Sequence, residues 1–168
     1  MTRNRKTTII ILTYNNIIYN RICIDSIRKY TNENTYEIIV VDNNSTDGTR
    51  EWLKEQKDIK SILNDENVGF PKGCNIGIAA SDKENDILLL NNDTVVTPRW
   101  LENLKICLYS DNKVGATASI TNSCSNYQSV TVPYINIQDM IPFANANNIT
   151  NPERWEEKVR LVAFCMLI

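Results

Sequence analysis

Three short clusters carry side chains that could do chemistry. Asn91-Asn92-Asp93 follows the apolar run Asp86–Leu90. One carboxylate with an amide oxygen two residues away suits a hard divalent cation. Mg2+ is commonly held by one or two carboxylates, with phosphate oxygens and water completing its shell. The same residues also make an ordinary solvated turn leading to Pro98. Asp42 closes a second apolar run and is suited to accept hydrogen bonds from a base or a ribose, or to serve as a turn residue and helix cap. Gly69, Gly73 and Gly77 recur every four residues. On a helix they share one face, open to a ligand or to tight packing on a sheet.

These clusters need elements to hold them. Thr7–Thr13 is a β-branched run and predicts a strand. Tyr14-Asn15-Asn16 breaks it, and Ile18, Ile22, Ile24 and Ile27 then recur at helical spacing up to Tyr30. Glu37–Val41 predicts a second strand, followed by a turn in which Ser45 or Thr46 can cap a helix running to about Lys57. Ile59–Leu63 reads as a third strand. Gly69-Phe70-Pro71 opens a helix through Ala80, Pro being favoured in a first turn. Asp86–Leu90 is a fourth strand. Pro98 starts a helix with Trp100, Leu101, Leu104 and Leu108 on one stripe, and Val114–Ile120 predicts a fifth strand. Thr121–Asn151 reads as irregular, and Val159–Ile168 is apolar. Alternating strands and helices call for an α/β fold with a doubly wound, mostly parallel sheet. Its ligands bind outside the carboxyl ends of the strands, where Tyr14-Asn15, Asp42-Asn43, Asn64-Asp65 and Asn91 to Asp93 all fall.

Composition narrows the chemistry. The 168 residues suffice for one domain with a core. Net charge is −2, from 18 basic and 20 acidic residues, which gives no electrostatic case for nucleic acid or an anionic membrane. There is no histidine, so Ser/His and Cys/His catalysis and histidine-ligated zinc are excluded. The five cysteines are dispersed, with no C-x-x-C. They predict reduced thiols, and with no secretory or membrane-spanning run they lead us to expect a cytoplasmic protein. Neither G-x-G-x-x-G after the first strand nor G-x-x-x-x-G-K-[ST] is present, so any nucleotide must be held by side chains.

Four segments in order resemble the GT-A-fold, family-two-type nucleotide-sugar glycosyltransferases, with their β-glycosyl- and rhamnosyl-type members. They are Ile11-Leu12-Thr13-Tyr14-Asn15-Asn16, then Val40 through Thr49, then Asn67-Val68-Gly69-Phe70 with Gly73, Asn75, Ile76 and Gly77, then Leu89-Leu90-Asn91-Asn92-Asp93-Thr94. The resemblance covers Thr7 to about Ile120 well. It implies a nucleotide-sugar-binding domain over 1–120 and the start of an acceptor-binding region over 121–168. It further implies that Thr13, Tyr14, Asn15, Asp42, Asn43, Asn67, Gly69, Phe70, Asn75 and Asn92 line the nucleotide pocket. Asp93 and Asn91 would stand at the family's D-x-D position and hold Mn2+ or Mg2+. The first acid of that motif is Asn91 here, and the usual second acid after the second strand is Asn43.

The activity implied is metal-assisted, inverting transfer from a UDP-, dTDP- or GDP-sugar to the hydroxyl of a glycan, lipid or protein acceptor. The alternatives are a non-catalytic nucleotide-binding module or a structural α/β domain. Ala163-Phe164-Cys165-Met166-Leu167 resembles the strand that precedes the family's catalytic base. The chain is therefore expected to be a donor-binding fragment, with the base beyond residue 168 and self-association through an uncovered C-terminal strand.

Overall fold

Strand β1 (Thr7–Thr13) is the centre of the sheet, paired in parallel with β2 (Tyr36–Asp42) on one side and β4 (Asp86–Asn91) on the other. β3 (Ile59–Leu63) extends the sheet beyond β2, also in parallel. The computed structural model describes residues 5–168. Strand order is β3-β2-β1-β4-β6-β5. The chain thus winds outward from β1 to β3 and returns to β4, so the order reverses between β1 and β4. In open α/β sheets that reversal opens a crevice at the strand ends, which here are Thr13 and Asn91.

Side-chain alternation sorts the core into two layers. Ile9, Ile11, Ile38, Val40, Leu88 and Leu90 face a cluster with helices α1 (Ile17–Tyr30), α2 (Thr49–Glu55) and α4 (Trp100–Leu108). Ile10, Ile39, Val41 and Leu89 face the other way, toward Cys74 of α3 (Phe70–Ala79). A parallel sheet covered on both faces gives continuous apolar strands and not alternating ones. α1 begins after two consecutive left-handed asparagines, Asn15 (φ 62°) and Asn16 (φ 63°), a conformation asparagine tolerates better than most side chains.

The carboxyl-terminal third departs from the sequence reading. The predicted strand Val114–Ile120 shrinks to β5, Thr117–Ala118. The stretch read as irregular contains helix α5 (Ile137–Asn147), capped by Asn136, whose side chain accepts from the Asp139 amide. Of its residues only Ala144 is buried, so it carries no apolar stripe to betray it. Strand β6 (Cys165–Leu167) runs antiparallel between β4 and β5, with Cys165 and Leu167 buried. It is an interior strand, which removes the physical basis for pairing through an uncovered C-terminal edge. No helix among the described residues is long and apolar enough to cross a membrane. All five cysteines are free thiols. Burial pushes Cys23 up to about 12 and Cys165 up to about 11, which makes both poor nucleophiles.

Candidate functional site

The turns after β1 and β2 are stapled to each other. The Asn15 amide donates to Ser45 Oγ at 2.6 Å, and the Thr46 amide donates to Asn15 Oδ1 at 2.8 Å. The Asn43 amide donates to the Thr13 carbonyl at 2.8 Å. Asn15 is therefore a structural staple through its main chain and its side-chain oxygen. Between these bonds Tyr14 stays 52% exposed. Ser45 does not cap α2, nor does Thr46. Instead Asp47 Oδ1 accepts from the Thr49 amide and hydroxyl, while its Oδ2 accepts from the Ile17 amide at the start of α1. Burial works against this carboxylate, but those bonds outweigh it and hold Asp47 below the usual carboxylate range.

Asp42 is 0% exposed at the end of β2. Its Oδ2 accepts from the Ser45 amide at 3.0 Å and from Arg50 Nη1 at 3.2 Å. Its Oδ1 is buried and has no partner. An orphaned buried acceptor is costly, and a ligand bearing a donor would relieve that cost. The plain cap reading of Asp42 accounts for Oδ2 only.

Asn43 is engaged elsewhere. Its Nδ2 donates to Asn67 Oδ1 at 3.1 Å and to the Gly69 carbonyl at 3.4 Å, and its Oδ1 accepts from Asn64 Nδ2 at 2.9 Å. Asn67 Oδ1 also accepts from the Gly69 amide. The network joins the ends of β2 and β3 to the start of α3, where Gly69 adopts φ 79°, a conformation that favours glycine. An aspartate at 43 could not donate, which explains the amide where the resemblance leads one to expect an acid. Asn43→Asp should cost about 1 kcal/mol of stability, the net worth of a buried hydrogen bond, as read by a urea titration. An unchanged midpoint would show the network to be idle. Phe70, 47% exposed, and Asn75, also exposed, present themselves on α3.

At the end of β4, Asn92 turns inward. Its Nδ2 donates to Asn20 Oδ1 at 2.9 Å and to Thr13 Oγ1 at 3.3 Å, so both amide hydrogens are used. The Asn91 carbonyl accepts from Thr94 Oγ1, and its amide donates to the Phe164 carbonyl. Asp93 is exposed. Among the described residues no group of three or more His, Cys, Asp or Glu side chains could enclose a metal. The donor set expected there, the Asp93 carboxylate with the Asn91 amide oxygen, lies at and just beyond the end of β4. It fits a hard oxygen-seeking cation that takes its other ligands from phosphates and water, and it does not fit a closed protein cage.

Of the residues expected in the pocket, Thr13, Tyr14, Asp42, Asn91 and Asp93 come to the strand ends that flank the crevice. Asn15, Asn43, Asn67 and Asn92 brace it. Sequence reasoning passed over Asn20 and Arg50, read Ser45 only as a possible helix cap, and placed Asn64 at a strand end without a role. Asn20 had a readable signal, because a polar residue on the buried stripe with Cys23, Ile24 and Ile27 must find a partner inside.

Solved structures share this fold. The mannosyltransferase PcManGT from Pyrobaculum calidifontis, solved with GDP-Man and Mn2+, superposes with a TM-score of 0.59 at 24% identity, covering 69% of this chain and 35% of that one. S. aureus TarS 1-349, solved with UDP-GlcNAc, superposes at 0.54 with 25% identity, covering 62% and 31%. GalNAc-T7 with UDP, GalNAc and Mn2+ gives 0.58 at 18% identity, covering 63% and 21%. The chain thus spans about a third or less of each of these proteins. The comparison with curated proteins returned no match. Residues 8–159 match the profile described as Glycosyl transferase family 2, a range that runs from the second residue of β1 past the end of α5. By that match the chain belongs to glycosyl transferase family 2.

Proposed function

We propose that this chain binds a nucleotide-diphosphate sugar at the β1–β4 crevice and takes part in inverting, metal-assisted transfer of the sugar to an acceptor hydroxyl. The observation that carries the reading is the buried, unpartnered Oδ1 of Asp42 at the carboxyl edge of the sheet. It is an acceptor awaiting a donor, and the ring N–H of uracil, thymine or guanine supplies one. Tyr14, with an exposed ring on the neighbouring turn, offers a face for a base to stack on. Family membership and the UDP-GlcNAc complex of TarS support a nucleotide-sugar ligand.

In this reading Asp42 and Tyr14 bind and orient the base. Thr13 is locked beneath them, its hydroxyl donating to the Asn15 carbonyl and accepting from Asn92. Asp93 and Asn91 would hold Mn2+ or Mg2+. A bound metal offsets negative charge on the leaving diphosphate. A general base for the acceptor hydroxyl is not assigned to any residue here.

Titration of UDP-, dTDP- and GDP-sugars, with and without Mn2+, tests the reading. One of them should bind saturably, and Asp42→Asn should weaken that binding by roughly 1–3 kcal/mol, the cost of a lost polar contact. Failure of all three donors to bind, or affinity indifferent to Asp42, would overturn it.

A further inference from the structure

We infer that Arg50 is a positioning residue for base recognition: it fixes the Asp42 carboxylate so that Oδ1 alone is offered to the nucleobase. The inference rests on the base-binding reading of Asp42 given above. Arg50 lies in the first turn of α2, and its side chain is four-fifths buried, at 20% exposure. Its Nη1 reaches three acceptors on two segments: Asp42 Oδ2 at 3.2 Å and Asn44 Oδ1 at 3.3 Å at the end of β2, and the Asn64 carbonyl at 2.7 Å after β3. Among the described residues it is the sole cation paired with Asp42.

Two consequences follow from this geometry. The terminal torsion of an aspartate is broad, so the plane of a loosely held carboxylate can swing and carry its free oxygen out of line with a ligand. With the Ser45 amide and Arg50 both on Oδ2, the carboxylate has one orientation and one vacant acceptor. Asp42 is also fully buried, and a buried carboxylate without a counter-charge is expensive to keep. Arg50 supplies that charge at Oδ2. It is further anchored through Asn64, whose side chain donates to Asn43. The end of β3 and the start of α3 are thereby tied to the orientation of one carboxylate.

A residue that only clipped the β2 and β3 loops together would make the same bonds, so the test must separate orientation from cohesion. The probes are UDP and GDP, which carry a base, and inorganic pyrophosphate with Mn2+, which does not. For the full chain, Arg50→Gln should weaken whichever nucleoside diphosphate binds by roughly ten- to a hundredfold, the scale of a bond to a charged group. Pyrophosphate–Mn2+ binding should be unchanged. Arg50→Lys keeps the charge but not the planar fork, and should recover part of the loss. In an Asp42→Asn background, Arg50→Gln should add nothing, because both changes remove one device.

If Arg50→Gln does not fold, Arg50→Lys decides the matter by the same comparison of UDP or GDP against pyrophosphate. Equal losses for both probes, additive losses in the double variant, or no loss at Arg50 while Asp42→Asn weakens binding would each overturn the positioning role and leave the base site standing. Binding indifferent to Asp42→Asn, or absent in the unaltered chain, would overturn the base site and this inference together.

Discussion

Asp93→Ala is expected to reduce binding of the nucleotide sugar in Mn2+ to its metal-free level. Asp93 is the exposed carboxylate at the end of β4, and the other side-chain donor assigned to the metal there is the neutral Asn91. Among the described residues no group of three or more His, Cys, Asp or Glu side chains could hold the ion in its place. Divalent affinity at an oxygen site follows ligand charge and number, so removing the lone carboxylate removes the charge component outright. The base contact should survive, because Asp42 is held by Ser45 and Arg50, neither of which touches Asp93. Calorimetric titration of the donor in Mn2+ and in EDTA reads both effects. A variant that keeps the full difference between the two buffers would remove Asp93 from the metal site.

The largest stability effect should come from Gly77. A Cβ placed there would lie 2.5 Å from Ile10 Cγ2 and 3.3 Å from Val41 Cγ2. Ile10 is 1% exposed in the central strand, and its Cγ2 is fixed by branching at Cβ, so the neighbour cannot swing aside. Gly77→Val must lift α3 off β1 and β2. It should cost about 3 kcal/mol, the upper part of the usual range for an overpacked core. Gly73 is the control. Its Cβ would meet Leu12 Cδ1 at 2.3 Å, Cδ2 at 3.1 Å and Cγ at 3.3 Å, all on one flexible, partly buried side chain that is unbranched at Cβ and can turn aside. Gly73→Ala also gains up to about 1 kcal/mol of helix propensity and should be near neutral. Chemical denaturation of the two variants compares them directly. Equal losses would show that α3 does not rest on Gly77.

The strands that frame the crevice were legible because they are buried on both faces. Runs such as Ile9-Ile10-Ile11 and Leu88-Leu89-Leu90 have little other use in a chain of this size. The placement of Asp42 at the end of β2 and of Asp93 just beyond β4 was legible because each follows such a run. The roles of the asparagines were not. Asn43 and Asn92 look like ligands in sequence, yet their amide hydrogens are used on Asn67, Gly69, Thr13 and Asn20. A primary amide donates and accepts equally well toward a ligand or toward another amide, and only the packing decides which. The last third was hidden for a different reason. α5 contains Pro142 and buries a single residue, while β5 and β6 have two and three residues. Elements that short or that exposed leave no periodicity to read.

The antiparallel insertion of β6 also sets a timetable for synthesis. β1, β2, β3 and β4 are complete by Asn91, but the free edge of β4 waits for Cys165 to pair with Leu90 and Leu167 with Leu88. At translation speeds of 5–20 residues per second, the roughly 75 residues between Leu90 and Cys165 take about 4–15 s to make. Throughout that interval an apolar strand displays unpaired amides and carbonyls to every other nascent chain nearby, the template from which mispairing starts. The interval in which this sheet is most exposed to aggregation therefore falls during its manufacture, before the strand that seals β4 has been translated.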